Sequence, residues 1–165
     1  MIRFFDLIFS TLGLLLFSPI LIILFVLGYL VNNSPLFKQT RIGYLNRPFI
    51  LVKFRSMLNH TKSKATHLID PSSITPYGSF LRKTKLDEIP QLWNVLIGDM
   101  SLVGPRPHAV EHNEYYRKLV PGYMQRHLSK PGMTGYAQVN GFRGDIKNIK
   151  DMENRVVYDL KYLEE

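Results

Sequence analysis

Residues 7–31, LIFSTLGLLLFSPILIILFVLGYLV, run for 25 positions without a charge and decide how the rest of the chain must be arranged. Wound as a helix at about 1.5 Å per residue, such a run reaches about 38 Å, enough to cross a hydrocarbon core of about 30 Å. A soluble core helix rarely needs so much apolar length, so the run predicts a membrane segment over residues 4–31. The competing explanation is a cleaved signal peptide. That would have a shorter apolar stretch and a small-residue cleavage site, whereas this run ends in Tyr29-Leu30-Val31-Asn32-Asn33.

Ser18-Pro19 sits near the centre of the run. Proline removes a backbone donor and clashes with the preceding turn, so a helix bends there, and a serine hydroxyl can satisfy the freed backbone. A sharp bend returns both ends to one face of the membrane, while a mild kink leaves a straight-through span. Arg3 precedes the run, and Lys38, Arg41, Arg47, Lys53 and Arg55 follow it. The residues alone leave the two topologies level.

Working outward, the formal charge of +8 falls on residues 32–165, because Arg3 and Asp6 cancel. Such an excess draws a domain to anionic headgroups or anionic ligands, and Lys or Arg beside a membrane segment marks its cytoplasmic side. Nucleic acid is the weaker use of this charge and is not expected as a partner. The chain has no cysteine, which excludes disulfides and thiolate metal sites and is compatible with a reducing compartment. About 134 residues follow the apolar run, enough for one compact domain.

Leu36 to Ile42 and Pro48 to Phe54 are β-favouring runs joined by Gly43-Tyr44-Leu45-Asn46, which predicts a hairpin. Residues 59–76 are polar and read as a loop. Helices are expected over Gly78 to Lys85, Asp87 to Leu96, Ala109 to Leu119, Gly122 to Leu128 and Ile149 to Leu163, with Asp87 and Glu88 in the first turn of the second. The glycine-rich stretch Lys130 to Gly144 reads as irregular.

Four constellations can carry chemistry. In Arg82-Lys83-Thr84-Lys85-Leu86-Asp87-Glu88-Ile89-Pro90, two carboxylates beside three cations suit an anionic, metal-bound substrate: one acid holds Mg²⁺ while the other attacks or takes a proton, and the cations keep both ionised. On spacing alone, ordinary helix-start chemistry accounts for them better. Gly98-Asp99-Met100-Ser101-Leu102-Val103-Gly104-Pro105-Arg106-Pro107 offers backbone N–H groups and an arginine to a phosphate, without the ending of a Walker loop; a tight turn explains it nearly as well. Along Lys130 to Gly144, Gln138, Asn140 and Arg143 can read a base, sugar or phosphate, and a surface loop is the plainer account. His108-Ala109-Val110-Glu111-His112 fits a zinc-peptidase pattern, one that matches easily by chance.

Taken in order, the apolar run with Ser18-Pro19, Lys53-Phe54-Arg55-Ser56-Met57, Leu81 to Pro107 and Lys130 to Gly144 resemble the bacterial sugar transferases, the monotopic polyprenyl-phosphate phosphoglycosyl transferases. Gly104-Pro105-Arg106-Pro107-His108-Ala109-Val110 with Asn140-Gly141-Phe142-Arg143-Gly144 looks most like members that move glucose 1-phosphate to undecaprenyl phosphate. The resemblance implies an α+β, mostly α fold: a re-entrant membrane helix hairpin over residues 1–34, broken at Ser18 and Pro19, and a cytoplasmic catalytic domain over residues 35–165 carrying a short β-hairpin.

It also implies a two-step exchange at the inner membrane that starts exopolysaccharide, capsule or O-antigen synthesis. Asp87 attacks the β-phosphorus of a UDP-sugar, UMP leaves, and undecaprenyl phosphate then takes the sugar phosphate. Glu88 binds Mg²⁺, and Asp159 is a third functional acid. Lys53, Arg55, Arg82, Arg106, Gln138, Asn140 and Arg143 are the substrate-binding residues. Membrane lipid is the remaining partner, and a homo-oligomer is compatible with the pattern.

Larger relatives carry further membrane spans and an extra domain ahead of this region, and the family usually continues past Leu163-Glu164-Glu165 with an aromatic segment. Weakened membrane contact or activity is the expectation for so short a form. The rival readings are a membrane-anchored zinc peptidase, a noncatalytic anchor for anionic lipid, and an inactive relative.

Overall fold

The computed structural model describes residues 1–58, 73–144, 146 and 148–164; most of the loop expected over 59–76 lies outside them. The apolar run forms the middle of α1, Ile2–Asn32, and helical backbone continues through Ser18-Pro19. Ser18 Oγ donates to the Leu15 carbonyl at 2.7 Å, occupying an acceptor in the turn that proline disturbs. The expected hairpin is thus a single helix with proline inside it, and any change of direction is a bend within that helix. Asn33, in left-handed backbone at φ 52°, ends it and donates its N–H to the Tyr29 carbonyl at 2.8 Å.

Both ends of α1 rest on the same domain. At its start, the Arg3 guanidinium donates to the carbonyls of Val95 and Leu96. One turn on, the buried Asp6 carboxylate accepts from Ser101 Oγ at 3.0 Å and from the Leu102 N–H at 2.9 Å. At the far end, Leu24 packs with Phe54 and Leu81, and Tyr77 donates its hydroxyl proton to the Leu24 carbonyl at 2.7 Å. Asp6, Ser10, Leu24, Gly28 and Asn32 are its buried residues, and the opposite side exposes large side chains from Phe4 and Phe9 to Ile23 and Leu30.

The expected hairpin forms. Strands β1 (Leu36–Ile42) and β2 (Pro48–Phe54) pair antiparallel from Leu36 against Phe54 to Ile42 against Pro48. Helix α2 (Pro76–Thr84) follows, capped by the Thr75 hydroxyl, which accepts from the Gly78 N–H at 2.9 Å. A 3₁₀ turn, Leu86–Glu88, then leads into α3 (Gln91–Ile97). Asp87 and Glu88 therefore precede the second helix instead of sitting in its first turn. Asn94 of α3 acts as a surrogate strand for the open edge of β2: its Oδ1 accepts from the Val52 N–H at 3.1 Å and its Nδ2 donates to the Ile50 carbonyl at 2.7 Å.

Two three-residue strands that the sequence conceals, β3 (Ser101–Val103) and β4 (Gly132–Thr134), pair in parallel. Their crossing is close: a Cβ on Gly104 would collide with the Lys130 carbonyl, and one on Gly132 with the Gly104 backbone. Beyond β3 come α4 (Val110–Tyr116), a 3₁₀ segment Tyr123–Leu128, the short α5 (Tyr136–Val139) in the stretch expected to be irregular, and α6 (Ile149–Glu164). Asn148 and Asp151 cap α6 reciprocally, each side chain accepting the other's N–H. Val120, Tyr123, Met152 and Val156 form a core beneath α6; Phe49, Leu51, Val95 and Met100 form another between β2 and α3.

Replacing Asp6 with alanine strands the buried Leu102 N–H and Ser101 hydroxyl, a loss of about 1–3 kcal/mol. The expected result is a lower unfolding midpoint and faster proteolysis of the detergent-solubilised protein; an unchanged midpoint would show that the clasp contributes nothing.

Candidate active site

A cleft of about 870 Å³ lies between the hairpin, α2, the loop after β3, α4 and α6. Its floor carries Asp87, placed there by Lys85, which adopts left-handed backbone (φ 61°) and turns the chain sharply out of α2. Asp87 is buried, and its Oδ1 accepts no hydrogen bond from any described residue. Burial pushes its carboxyl up, and Glu88 pushes the same way, against Lys53, Lys85 and Arg82. The cations offset part of what burial and Glu88 do.

Glu88 behaves oppositely. Burial favours its neutral form too, but the Arg106 charge and hydrogen bond, aided by Lys53 and Lys85, outweigh it and hold the carboxyl below the ordinary range. The Arg106–Glu88 pair closes at 2.6 Å and remains partly open to water. Two adjacent acids with opposite shifts are what a site needs to give one carboxylate a reactive role and the other a supporting one.

Lys53 also lines the cleft; burial, then Arg41, pushes its ammonium down to about 8, with Asp87 pulling it up. Arg82 donates through Nε to Ser56 Oγ at 2.9 Å. Gln138 and Arg143 reach the same cleft. Arg55 lines it too, while its guanidinium donates to the Ser34 and Leu36 carbonyls and so fastens the junction between α1 and β1. Asn140 lies outside the lining residues: its Nδ2 donates to the Tyr136 carbonyl at 2.8 Å, capping α5.

Asp159 is buried instead of lying on a solvated helix face, and it accepts from Arg126 through Nε at 3.0 Å and Nη2 at 2.6 Å. Arg126, which no local pattern marks, also donates to the Arg106 carbonyl at 2.9 Å and sits 2.7 Å from His108 Nδ1. Tyr123 Oη lies 2.6 Å from the same nitrogen. Since a guanidinium only donates, His108 Nδ1 is the acceptor and its proton sits on Nε2. Burial, then Arg126, Arg41 and Arg155, push His108 well below the usual histidine range, so it is neutral.

The zinc-peptidase pattern dissolves in this geometry. His108 precedes α4 and its Nδ1 is taken, so it does not share a helical face with His112, and no three metal-binding side chains gather among the described residues. Magnesium asks for less, because it keeps waters and substrate oxygens and needs only one or two carboxylates. The uncommitted Asp87 Oδ1 and the Glu88 carboxylate, of which Arg106 engages one oxygen, fit such an ion.

The comparisons with known proteins agree with this architecture. The family model described as "Bacterial sugar transferase" matches residues 1–165. A UDP-glucose:undecaprenyl-phosphate glucose-1-phosphate transferase from Escherichia coli (strain K12) is 48% identical over 163 residues, 97% of this chain and 35% of the relative. An exopolysaccharide production protein, PSS, from Rhizobium leguminosarum bv. phaseoli is 42% identical over 98% of this chain and 84% of its own length. A UDP-N-acetylgalactosamine-undecaprenyl-phosphate N-acetylgalactosaminephosphotransferase from Aeromonas hydrophila is 35% identical over 96% of this chain and 38% of the relative. The chain belongs to the bacterial sugar transferase family, and spans about a third of the length of the Escherichia coli relative.

If Asp87 must be ionised and Lys53 charged, kcat/KM for an anionic donor follows a bell. It rises above the ordinary aspartate range as Asp87 deprotonates and falls near pH 8 as Lys53 loses its charge. Lys53→Arg should move the alkaline limb upward; a limb unmoved in that variant would exclude Lys53 as its source.

Proposed function

We propose that this chain transfers a sugar 1-phosphate, glucose 1-phosphate first among the candidates, from a UDP-sugar to undecaprenyl phosphate. The observation that carries this is Asp87: a buried carboxylate with an uncommitted oxygen, set among Lys53, Arg82 and Lys85 and beside a second acid already held by arginine. Water-exposed acids at a helix start would have neither the burial nor the cationic wall.

Asp87 attacks the β-phosphorus; the bond from that phosphorus to the bridging oxygen breaks, and UMP departs, leaving an acyl phosphate on the carboxylate. An oxygen of the lipid phosphate then attacks the same phosphorus, and the acyl–phosphate bond breaks to restore Asp87. Lys53, Arg82 and Arg106 spread the charge that gathers on the phosphoryl oxygens. Mg²⁺, held through Glu88, supplies further neutralisation of the diphosphate when bound. The names of the relatives, which specify undecaprenyl phosphate and UDP-activated sugars, support this substrate pair.

The proposal includes the membrane. That Arg3 and Leu24 of α1 both rest on one domain supports a helix that lies against the domain with its exposed apolar side in lipid and both ends on one face, Pro19 supplying the bend of a re-entrant segment. Exposed Phe80 of α2 and Trp93 of α3 add to that surface. The domain then faces the cytoplasm at the inner membrane, where surface polysaccharide synthesis starts.

Membranes carrying this chain, given UDP-glucose, Mg²⁺ and undecaprenyl phosphate, should release UMP, and Asp87→Asn should reduce that release by at least about 10³-fold. Equal release from both would remove Asp87 as nucleophile. Reporters placed before Arg3 and after Lys38 should lie on the same side; opposite sides would refute the re-entrant topology.

A further inference from the structure

Of the guanidiniums that line the cleft, Arg106 pairs with Glu88 and Arg126 with Asp159. Arg41 and Arg155 form no ion pair with a described carboxylate. Arg41 donates to the Pro107 carbonyl and to Gln39 Oε1, Arg155 to the Gly144 carbonyl, and the Nε of each is buried without an acceptor among the described residues. Both are pushed below the usual arginine range, by burial first and then by the Arg106 charge. Glu111 and Glu88 act on Arg41, and Asp159 and Asp151 on Arg155, but none of them pairs directly with either, and like charges held together this way cost stability that a bound anion would offset.

His108 adds a second, independent sign. Arg126 fixes its proton on Nε2, and that nitrogen is buried in the cleft wall with no partner among the described residues, within the electrostatic reach of both Arg41 and Arg155. A neutral N–H donor in the same cleft wall as two guanidiniums that form no direct ion pair with a described carboxylate matches the oxygens of a phosphate.

The position is equally informative. The charges acting on Asp87 are Glu88, Lys53, Lys85 and Arg82, whereas those acting on Arg155 are Arg106, Arg126, Asp159 and Asp151. Arg106, which pairs with Glu88 beside Asp87, also acts on Arg155, so one cleft carries both groups. Displacement at phosphorus runs in line, so a group leaving under attack by Asp87 departs on the side away from that carboxylate. The second nucleophile, which must expel Asp87, enters from the same side.

We propose that Arg41, Arg155 and the His108 Nε2–H form one phosphate subsite, occupied first by the phosphate of the departing nucleoside monophosphate and then by the phosphate of the lipid acceptor. This rests on the transfer reaction proposed above and assigns its exchange step to residues outside the substrate-binding set expected from the sequence. It makes the two substrates alternate over one set of donors, so UMP and the lipid phosphate exclude one another.

Arg155→Gln and His108→Phe, each checked for folding by its unfolding midpoint, test this in the full chain with UMP, UDP-glucose and undecaprenyl phosphate in detergent. UMP should inhibit competitively against undecaprenyl phosphate. In Arg155→Gln the UMP inhibition constant and both KM values should rise together by about tenfold or more, with Arg155→Lys restoring part of the loss. If UMP inhibition is unchanged in both variants, the subsite is misplaced; if the donor KM alone rises, the subsite is not shared. UMP binding to Asp87→Asn, measured by calorimetry, separates the two proposals: no binding at all would sink the transferase reading itself, whereas binding that Arg155→Gln leaves untouched in that background would sink only the subsite.

Discussion

The buried ion pair between Arg126 and Asp159 is the contact on which the site depends. A lone guanidinium at that depth would be prohibitive, and Asp159 makes it tolerable by accepting from both Nε and Nη2. Burial alone pushes the Asp159 carboxyl up, with Arg126 pulling the other way, so each partner keeps the other in place. Once there, Arg126 fixes three things: the Arg106 backbone, the His108 tautomer and the approach of α6 to the 3₁₀ segment Tyr123–Leu128. Arg106 in turn holds Glu88, the neighbour of Asp87. A chain of charge-assisted contacts thus runs from α6 to Glu88, beside Asp87.

A second line reaches the same loop from the membrane side. Asp6 clasps the start of β3, and β3 leads within three residues to Arg106. Its parallel partner β4 lies so close that only glycine fits at positions 104 and 132. The apolar helix thus braces the strand from which the arginine loop springs.

Much of this was legible in the residues. The hairpin from Leu36 to Phe54 follows its β-favouring runs and turn, α6 covers the helix expected over Ile149 to Leu163 and runs one residue past it, and the paired acids Asp87 and Glu88 stand among cations in sequence as in space. What escaped has physical reasons. Strands β3 and β4 are three residues each and find one another across a long separation, so no local period announces them. Arg126 looks like any basic residue in a helical stretch; its value comes entirely from Asp159 and His108, which arrive from elsewhere. Asn140 sits in a ligand-like motif but spends its amide on the turn beside it. The cations around Asp87 were legible in sequence, whereas the burial that pushes its carboxyl up was not, because neighbours in sequence reveal charge but not desolvation.

Mass analysis of the protein after brief incubation with UDP-glucose and Mg²⁺, with no lipid acceptor present, bears most directly on Asp87. The expected result is a peptide containing Asp87 that gains the mass of a hexose phosphate and loses it when undecaprenyl phosphate is added. UMP release that waits for the lipid, with no adduct on that peptide at any time, would contradict the two-step exchange.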